Sequence, residues 1–278
     1  MSNLVWLIMK YGKIKHLWKT GEKVMLENLK FINLRGCESL KKFPDVSGTP
    51  NIEGLDLSNC NYSVGSLKKL VKLDMTTCNN LKRLPSMLQL KSMKTLGLLR
   101  NEFLKRLPKF SPCMVSLSML EIKYCNKIEE VPSSINYLSN LKELYIASCE
   151  KLKCLPSMLE MESLEALILS NCSSVKKIPD FSPCMVKLSK LVISDCHKIE
   201  EVSSSINHLS NLKILDLSDS YELQDLPYMP DIRSLETLLL RNCHFKTIPM
   251  LPPCIDPSDV DMTGCYMLER VPTWMNTP

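Results

Sequence analysis

The stretch Leu141-Lys-Glu-Leu144-Tyr-Ile146-Ala-Ser-Cys149-Glu-Lys-Leu152-Lys-Cys-Leu155-Pro156 decides the architecture of this 278-residue chain. Apolar residues stand eight, five and three positions before Cys149 and three and six after it, and proline closes the segment. The next window repeats the pattern as Leu164, Leu167, Leu169, Cys172, Val175, Ile178 and Pro179. The one after gives Leu188, Leu191, Ile193, Cys196, Ile199 and Val202, where Ser203 replaces the proline. Working outward, the same column holds Cys37, Cys60, Cys78, Cys125, Cys243 and Cys265, with Asn101 and Ser220 filling two gaps. The steps along the column are 23, 18, 23, 24, 24, 23, 24, 24, 23 and 22 residues. A fixed period in the low twenties is the signature of a solenoid.

The aligned pattern, L-x-x-L-x-L-x-x-C/N-x-L, is the leucine-rich repeat. About twelve copies of 22–24 residues run over 1–278 as one repeat domain. The first is atypical (Leu4, Leu7, Met9, Ile14, Leu17), and in the last Pro257 replaces the first leucine. L-x-L alternates at period two, so both leucines face one side of a short strand and the residue between them faces the other. One coil exposes its apolar face, whereas stacked parallel coils bury about five such side chains each, at roughly 1.5–3 kcal/mol apiece before entropy is subtracted. The expected fold is therefore α/β: a right-handed leucine-rich-repeat solenoid, or horseshoe, with a parallel β-sheet on the concave face and short helical or irregular turns outside. The column residue follows the strand as the chain turns inward, where a donor side chain bonds backbone groups that the sheet leaves free. Cysteine, asparagine and serine can all donate.

That assignment explains nine of the 13 cysteines as a ladder of buried thiols, without bridges or metal. The other four are Cys113, Cys154, Cys184 and Cys254, and no C-x-x-C pair of the kind zinc needs is present. So many free thiols suit a reducing compartment, the cytoplasm or the nucleus. Only 8 glycines occur, with no phosphate-cradling glycine loop, and the formal charge of +5 is spread over 65 charged groups, so nucleic acid is not the expected partner. The apolar run Leu4–Met9 is too short for a signal peptide, and no run of about 18 apolar residues exists to span a membrane. A soluble protein without cofactor is expected.

A longer repeat overlies the short one. Phe110-Ser-Pro-Cys-Met-Val115 recurs 71 residues later as Phe181-Ser-Pro-Cys-Met-Val186, and Leu84–Leu88 and Lys127–Val131 recur as Leu155–Leu159 and Lys198–Val202. Three coils were duplicated as a block, which an open stack tolerates because each coil meets only its neighbours. The single step of 18, from Cys60 to Cys78, predicts a shortened coil near 61–66. Neither end shows a polar cap, so a piece of a longer protein is expected, with apolar end faces open to a neighbouring domain.

Beyond the generic repeat, Asn3-Leu-Val-Trp-Leu-Ile-Met-Lys-Tyr-Gly-Lys-Ile-Lys-His-Leu-Trp18 resembles the opening repeat of plant TIR-NB-LRR immune receptors. Asn28-Leu-Lys-Phe-Ile-Asn-Leu34 and Pro44-Asp-Val-Ser-Gly-Thr-Pro-Asn51 resemble the family's second repeat, and Leu251-Pro-Pro-Cys254 with Gly264-Cys265 resembles the end of its repeat region. The family's TIR and nucleotide-switch domains have no counterpart in these residues, nor does its C-terminal β-sandwich. The resemblance implies a module that senses a pathogen effector or a host protein on its inner surface and restrains a nucleotide-binding domain of the full receptor.

Two surfaces are candidates for partner binding. The residue between the strand leucines faces the concave side, and there Tyr145, Ile168 and Val192 follow one another in consecutive coils, flanked by Lys123 and Tyr124. Strands about 4.8 Å apart would make them one apolar patch with a polar rim, although such residues also simply suit a strand. A lateral stripe, Lys41, Lys42, Lys82, Arg83, Lys105 and Arg106, could steer an acidic partner, against the plainer role of a solvated rim. No catalytic site is expected: His16, His197, His208 and His244 fall at unrelated repeat positions, and Glu129-Glu130 lies in a charged, solvated lane. A ubiquitin-ligase substrate receptor would carry an F-box helix pair, and an extracellular receptor would carry G-x-I-P and paired cysteine caps; neither signal is present. A truncated fragment without independent activity is the remaining alternative.

Overall fold

A computed structural model describes residues 4–18, 24–40, 49, 51, 54–56, 60, 71–76, 87–88, 90–223, 225–247, 251–252 and 254–269. The strands are β1 (Trp6–Ile8), β2 (Phe31–Asn33), β3 (Gly54–Asp56), β4 (Lys72–Asp74), β5 (Met87–Leu88), β6 (Thr95–Leu99) and β7 (Lys109–Phe110). They continue as β8 (Met119–Lys123), β9 (Glu143–Ala147), β10 (Ala166–Ser170), β11 (Lys190–Ser194), β12 (Ile214–Asp216), β13 (Thr237–Leu239) and β14 (Val260–Asp261). All but β5 and β7 form one 12-stranded sheet in sequence order, and those two pair separately on the outer side. Every pairing is parallel, and the register equates the repeat positions: Leu120, Leu144, Leu167, Leu191, Leu215 and Leu238 lie side by side. The solenoid read from the column is the observed fold.

Each strand stops at one kind of turn. The residue just before the column has positive φ in coil after coil: Tyr11, Arg100, Tyr124, Ser148, Asn171, Asp195, Asp219 and Asn242 lie at 50–61°, and Gly36 and Gly264 at 73° and 80°. This left-handed step costs an L-residue about 1–2 kcal/mol and persists because packing over-determines it. It also identifies the first column member, Gly12, which follows Tyr11 and carries no donor side chain.

Past the turn the column side chain points inward and takes a carbonyl of the preceding coil. Cys37 Sγ donates to the Met9 carbonyl (2.9 Å), Cys60 to Leu34 (2.9 Å), Cys125 to Leu98 (3.3 Å), Cys243 to Leu217 (3.2 Å) and Cys265 to Leu240 (2.9 Å). Asn101 Nδ2 makes the equivalent bond to Met75 at 2.8 Å. In these coils the acceptor is the second strand leucine or its equivalent, so the column extends the sheet's hydrogen bonding past the point where the backbone turns away, whereas Cys172 bonds the Ser170 carbonyl of its own coil at 3.4 Å. The twelve described cysteines are all free thiols. Cys78 and the shortened coil near 61–66 lie outside the described residues.

The outer segments are extended or short 3-10 turns, notably Ser133–Tyr137 and Ser204–His208, which stand 71 residues apart like the sequence block that contains them. Their hydrogen bonds are duplicated too. The Phe110 and Phe181 amides donate to Ser134 Oγ (2.9 Å) and Ser205 Oγ (3.0 Å), and Asn140 and Asn211 cap the Val115 and Val186 carbonyls, both at 2.7 Å.

The coil from Leu141 to Met161 buries eight apolar side chains rather than five: Leu141, Leu144, Ile146, Cys149, Leu152, Leu155, Met158 and Met161. The sequence pattern overlooked an anchor eleven residues before the column, filled by Leu90, Met114, Leu138, Met161, Met185, Leu209 and Ile232, all buried. A further outer anchor, Phe110, Ile135, Met158, Phe181 and Ile206, shifts between 14 and 15 residues before the column, since it lies outside the register of the 12-stranded sheet.

Candidate protein-recognition surface

The sheet's solvent-facing side is laid out by the pleat. Leu144 and Ile146 of β9 point into the core, so Glu143, Tyr145 and Ala147 point out, and the same alternation runs through β8, β10 and β11. Register then sets Tyr145 beside Ile168 and Ile168 beside Val192. All three are half-buried, accessible at their outer faces and not part of the interior. Ile214, half-buried on the same side of β12, pairs with Lys190 and widens the patch toward the C-terminal coils.

One edge of the patch is locked by polar contacts. Lys123 Nζ pairs with Glu121 at 2.8 Å and sits 5.0 Å from the centre of the Tyr145 ring, so this cation is engaged within the face. Tyr145 donates its hydroxyl to Glu143 Oε2 at 2.9 Å; this bond, then burial, raises the phenol above its usual pKa, so it remains a neutral donor. Tyr124 stands apart at the strand end, 46% exposed, with the Arg100 guanidinium 5.4 Å from its ring centre. The five expected contact residues thus divide into a tied group of Lys123, Tyr145, Ile168 and Val192 and a separate Tyr124–Arg100 pair.

In the lateral stripe, Lys105 and Arg106 are exposed, while Lys41, Lys42, Lys82 and Arg83 lie outside the described residues. Beyond Arg106 the lane turns into a ladder of ion pairs: Glu129–Lys153 and Lys176–Glu200 at 2.7 Å, and Lys177–Glu201. The hydrogen bond from Lys153 lowers the Glu129 carboxyl, and nearby charges including Arg106 lower it further. These partners are more than half exposed, so each pair contributes little to stability.

The expectation that the four histidines occupy unrelated positions is corrected. His197 and His244 both directly follow a column cysteine, and Tyr221 follows Ser220 at the same position in the coil between them. Stacking brings them to one edge: ring centres are 4.7 Å apart for His197 and Tyr221 and 5.3 Å for Tyr221 and His244. Aligning the residue after the column would have revealed this lane. A depression of roughly 290 Å³ beside it is lined by Tyr221, Glu222, Asp225, His244 and Lys246. Among the described residues no cluster of three His, Cys, Asp or Glu side chains could hold a metal ion, and no helix is long and apolar enough to cross a membrane.

Residues 156–246 match the family model for Zer-1-like leucine-rich repeats. The chain is 29% identical to TMV resistance protein N of Nicotiana glutinosa, over 97% of this chain and 22% of that protein. It is 32% identical to disease resistance protein RPS6 of Arabidopsis thaliana, over 85% of this chain and 24% of that protein. The chain therefore spans about a quarter or less of the length of these relatives. Among solved structures, an internalin from Listeria monocytogenes covers 96% of this chain, and 86% of its own, at 15% identity and a TM-score of 0.40. In its repeats and in the identity it shares along most of its length, the chain belongs with the leucine-rich-repeat region of plant TIR-NB-LRR disease resistance proteins.

Proposed function

We propose that the chain is a recognition module that captures a protein on the open side of its sheet, with Tyr145, Ile168 and Val192 as the central contact. The observation that carries this reading is that three large apolar side chains, placed in register by β9, β10 and β11, remain accessible inside a polar rim. The captured protein is a pathogen effector or a host protein, and its binding competes with contacts that restrain the nucleotide-binding domain of a full receptor. Lys105 and Arg106, with the rest of the basic stripe, steer an acidic surface such as that domain. The module performs no chemistry of its own and acts inside the cell, where its thiols stay reduced.

The test is retention of proteins from plant extract on the immobilised chain, compared with a Tyr145→Glu/Ile168→Lys variant. At least one protein held by the wild type is lost from the variant while the circular dichroism of the two is the same. Equal retention removes the patch from consideration.

A further inference from the structure

We propose that the sheet face over β11 and β12 seats a positively charged segment of the protein partner, an extended peptide carrying arginine or lysine next to an aliphatic side chain. This rests on the reading of the open face as a recognition surface and adds the chemistry of what it selects.

Three carboxylates gather there. Asp216, in β12, is the register partner of Val192, so the apolar patch runs directly into it. Asp195 and Asp219 occupy the left-handed position at the ends of adjacent coils, with φ of 54° and 61°. Elsewhere on the face, Glu121 is matched by Lys123 at 2.8 Å and Asp261 by Arg241 at 2.6 Å, while Glu143 is met by the Tyr145 hydroxyl at 2.9 Å. Asp195, Asp216 and Asp219 form no such ion pair among the described residues. Asp216 accepts only the Ser218 amide (3.0 Å), and Asp219 accepts Asn242 Nδ2 (2.9 Å) and the more distant Tyr221 hydroxyl (3.4 Å).

A second, independent observation points to a missing ligand group. Ser218 lies between Asp216 and Asp219 and, by the alternation that continues past β12, on the same face. It is only 6% exposed, yet its Oγ has no hydrogen-bond partner. A buried hydroxyl left unpaired is costly, and an incoming N–H donor or peptide carbonyl would satisfy it. Adjacent strands are about 4.8 Å apart, so one guanidinium, with five donors in a planar fork, can reach two neighbouring carboxylates and that hydroxyl while an aliphatic side chain rests on Val192 and Ile214.

The chain carries a formal charge of +5, so nonspecific attraction favours an acidic peptide, and preference for a basic one must arise locally. The probes are Ac-Leu-Gly-Arg-Gly-Arg-NH2 and Ac-Leu-Gly-Glu-Gly-Glu-NH2, titrated into the full chain. The expected result is that the arginine peptide binds about ten-fold more tightly or better, and that this advantage disappears in an Asp195→Asn/Asp216→Asn/Asp219→Asn variant. Equal binding of the two peptides by the wild type, or an advantage that survives the triple change, overturns the proposal. Should that variant misfold, salt decides on the wild type: raising NaCl from roughly 50 to 500 mM weakens the arginine peptide several-fold if the carboxylates hold it, and indifference to salt overturns the seat. Tyr145→Ser/Ile168→Ser separates the two readings: the arginine advantage should persist there, because the peptide rests on Val192 and Ile214, and its loss overturns this seat, whereas the apolar patch is decided by protein retention alone.

Discussion

At the scale of single residues, a column thiol serves because the C–S bond is long enough to carry the donor to a carbonyl of the neighbouring coil. Ser220 shows the limit. It is fully buried, and its Oγ finds no partner, whereas Cys243 in the next coil reaches the Leu217 carbonyl at 3.2 Å. Ser220→Cys is expected to raise stability by about 1 kcal/mol, and Cys149→Ser to lower it by about 1–3 kcal/mol, both read from urea unfolding midpoints. Thiol reactivity follows the same geometry. Burial pushes the Cys125 and Cys243 thiols up to about 12, while Cys154 and Cys254 are exposed. Alkylation at pH 8 with peptide mapping should therefore modify Cys154 and Cys254 first and spare Cys125 and Cys243 until denaturant is added; early labelling of the latter pair would contradict the ladder.

At the scale of the element, the turn after each strand and the clamp on the last strand invite measurement. Gly36 has φ of +73°, and a Cβ there would lie 2.4 Å from the Tyr11 ring, so Gly36→Ala should destabilise by roughly 1–3 kcal/mol, with Tyr11→Ala relieving the steric part. On β14, Asp261 accepts the Thr263 hydroxyl (2.6 Å) and amide (2.9 Å) and pairs with Arg241 Nε (2.6 Å). The Thr263 bonds first, and Arg241 after them, hold its carboxyl down at about 2. A depressed native pKa means stability present above the unfolded value near 4 and lost as pH falls through about 2. The melting-temperature gap between wild type and Asp261→Asn should thus be full above pH 4 and close toward pH 2. A gap that stays constant over that range would exclude the clamp as its origin.

For the whole molecule, sequential nearest-neighbour pairing makes the stack modular. Excising residues 127–197, one length of the 71-residue repeat, joins Asn126 to Lys198-Ile-Glu-Glu-Val202, which repeats the native continuation. The shortened chain should fold with the same strand spectrum and an unfolding m-value smaller by about a quarter. Loss of cooperative unfolding would show that the coils are not interchangeable.

How much was legible follows from what repeats. Leu144, Leu167 and Leu191 recur at one spacing because the sheet register demands it, so the coil, its inward leucines and the outward lane of Tyr145, Ile168 and Val192 could be read directly. The outer anchors Phe110, Ile135 and Met158 could not, because they lie outside the 12-stranded sheet whose register keeps the inner spacing constant. Lys123 looked like a free rim cation, but its tie to Glu121 and Tyr145 depends on side-chain reach, which a linear pattern does not encode. The His197–Tyr221–His244 stack was present in the alignment yet invisible until parallel coils set the three rings face to face.

Period and pattern alone therefore established the solenoid, the thiol column and the parallel sheet, because a one-dimensional repeat of apolar residues admits one stacked arrangement that buries them. Which carboxylates are neutralised, which hydroxyls stay unpaired and where the apolar face meets bare acid were decided only when the coils came together. Those outcomes depend on distances between side chains some 20 or more residues apart, such as the 24 between Lys153 and Glu129, and a period cannot state them.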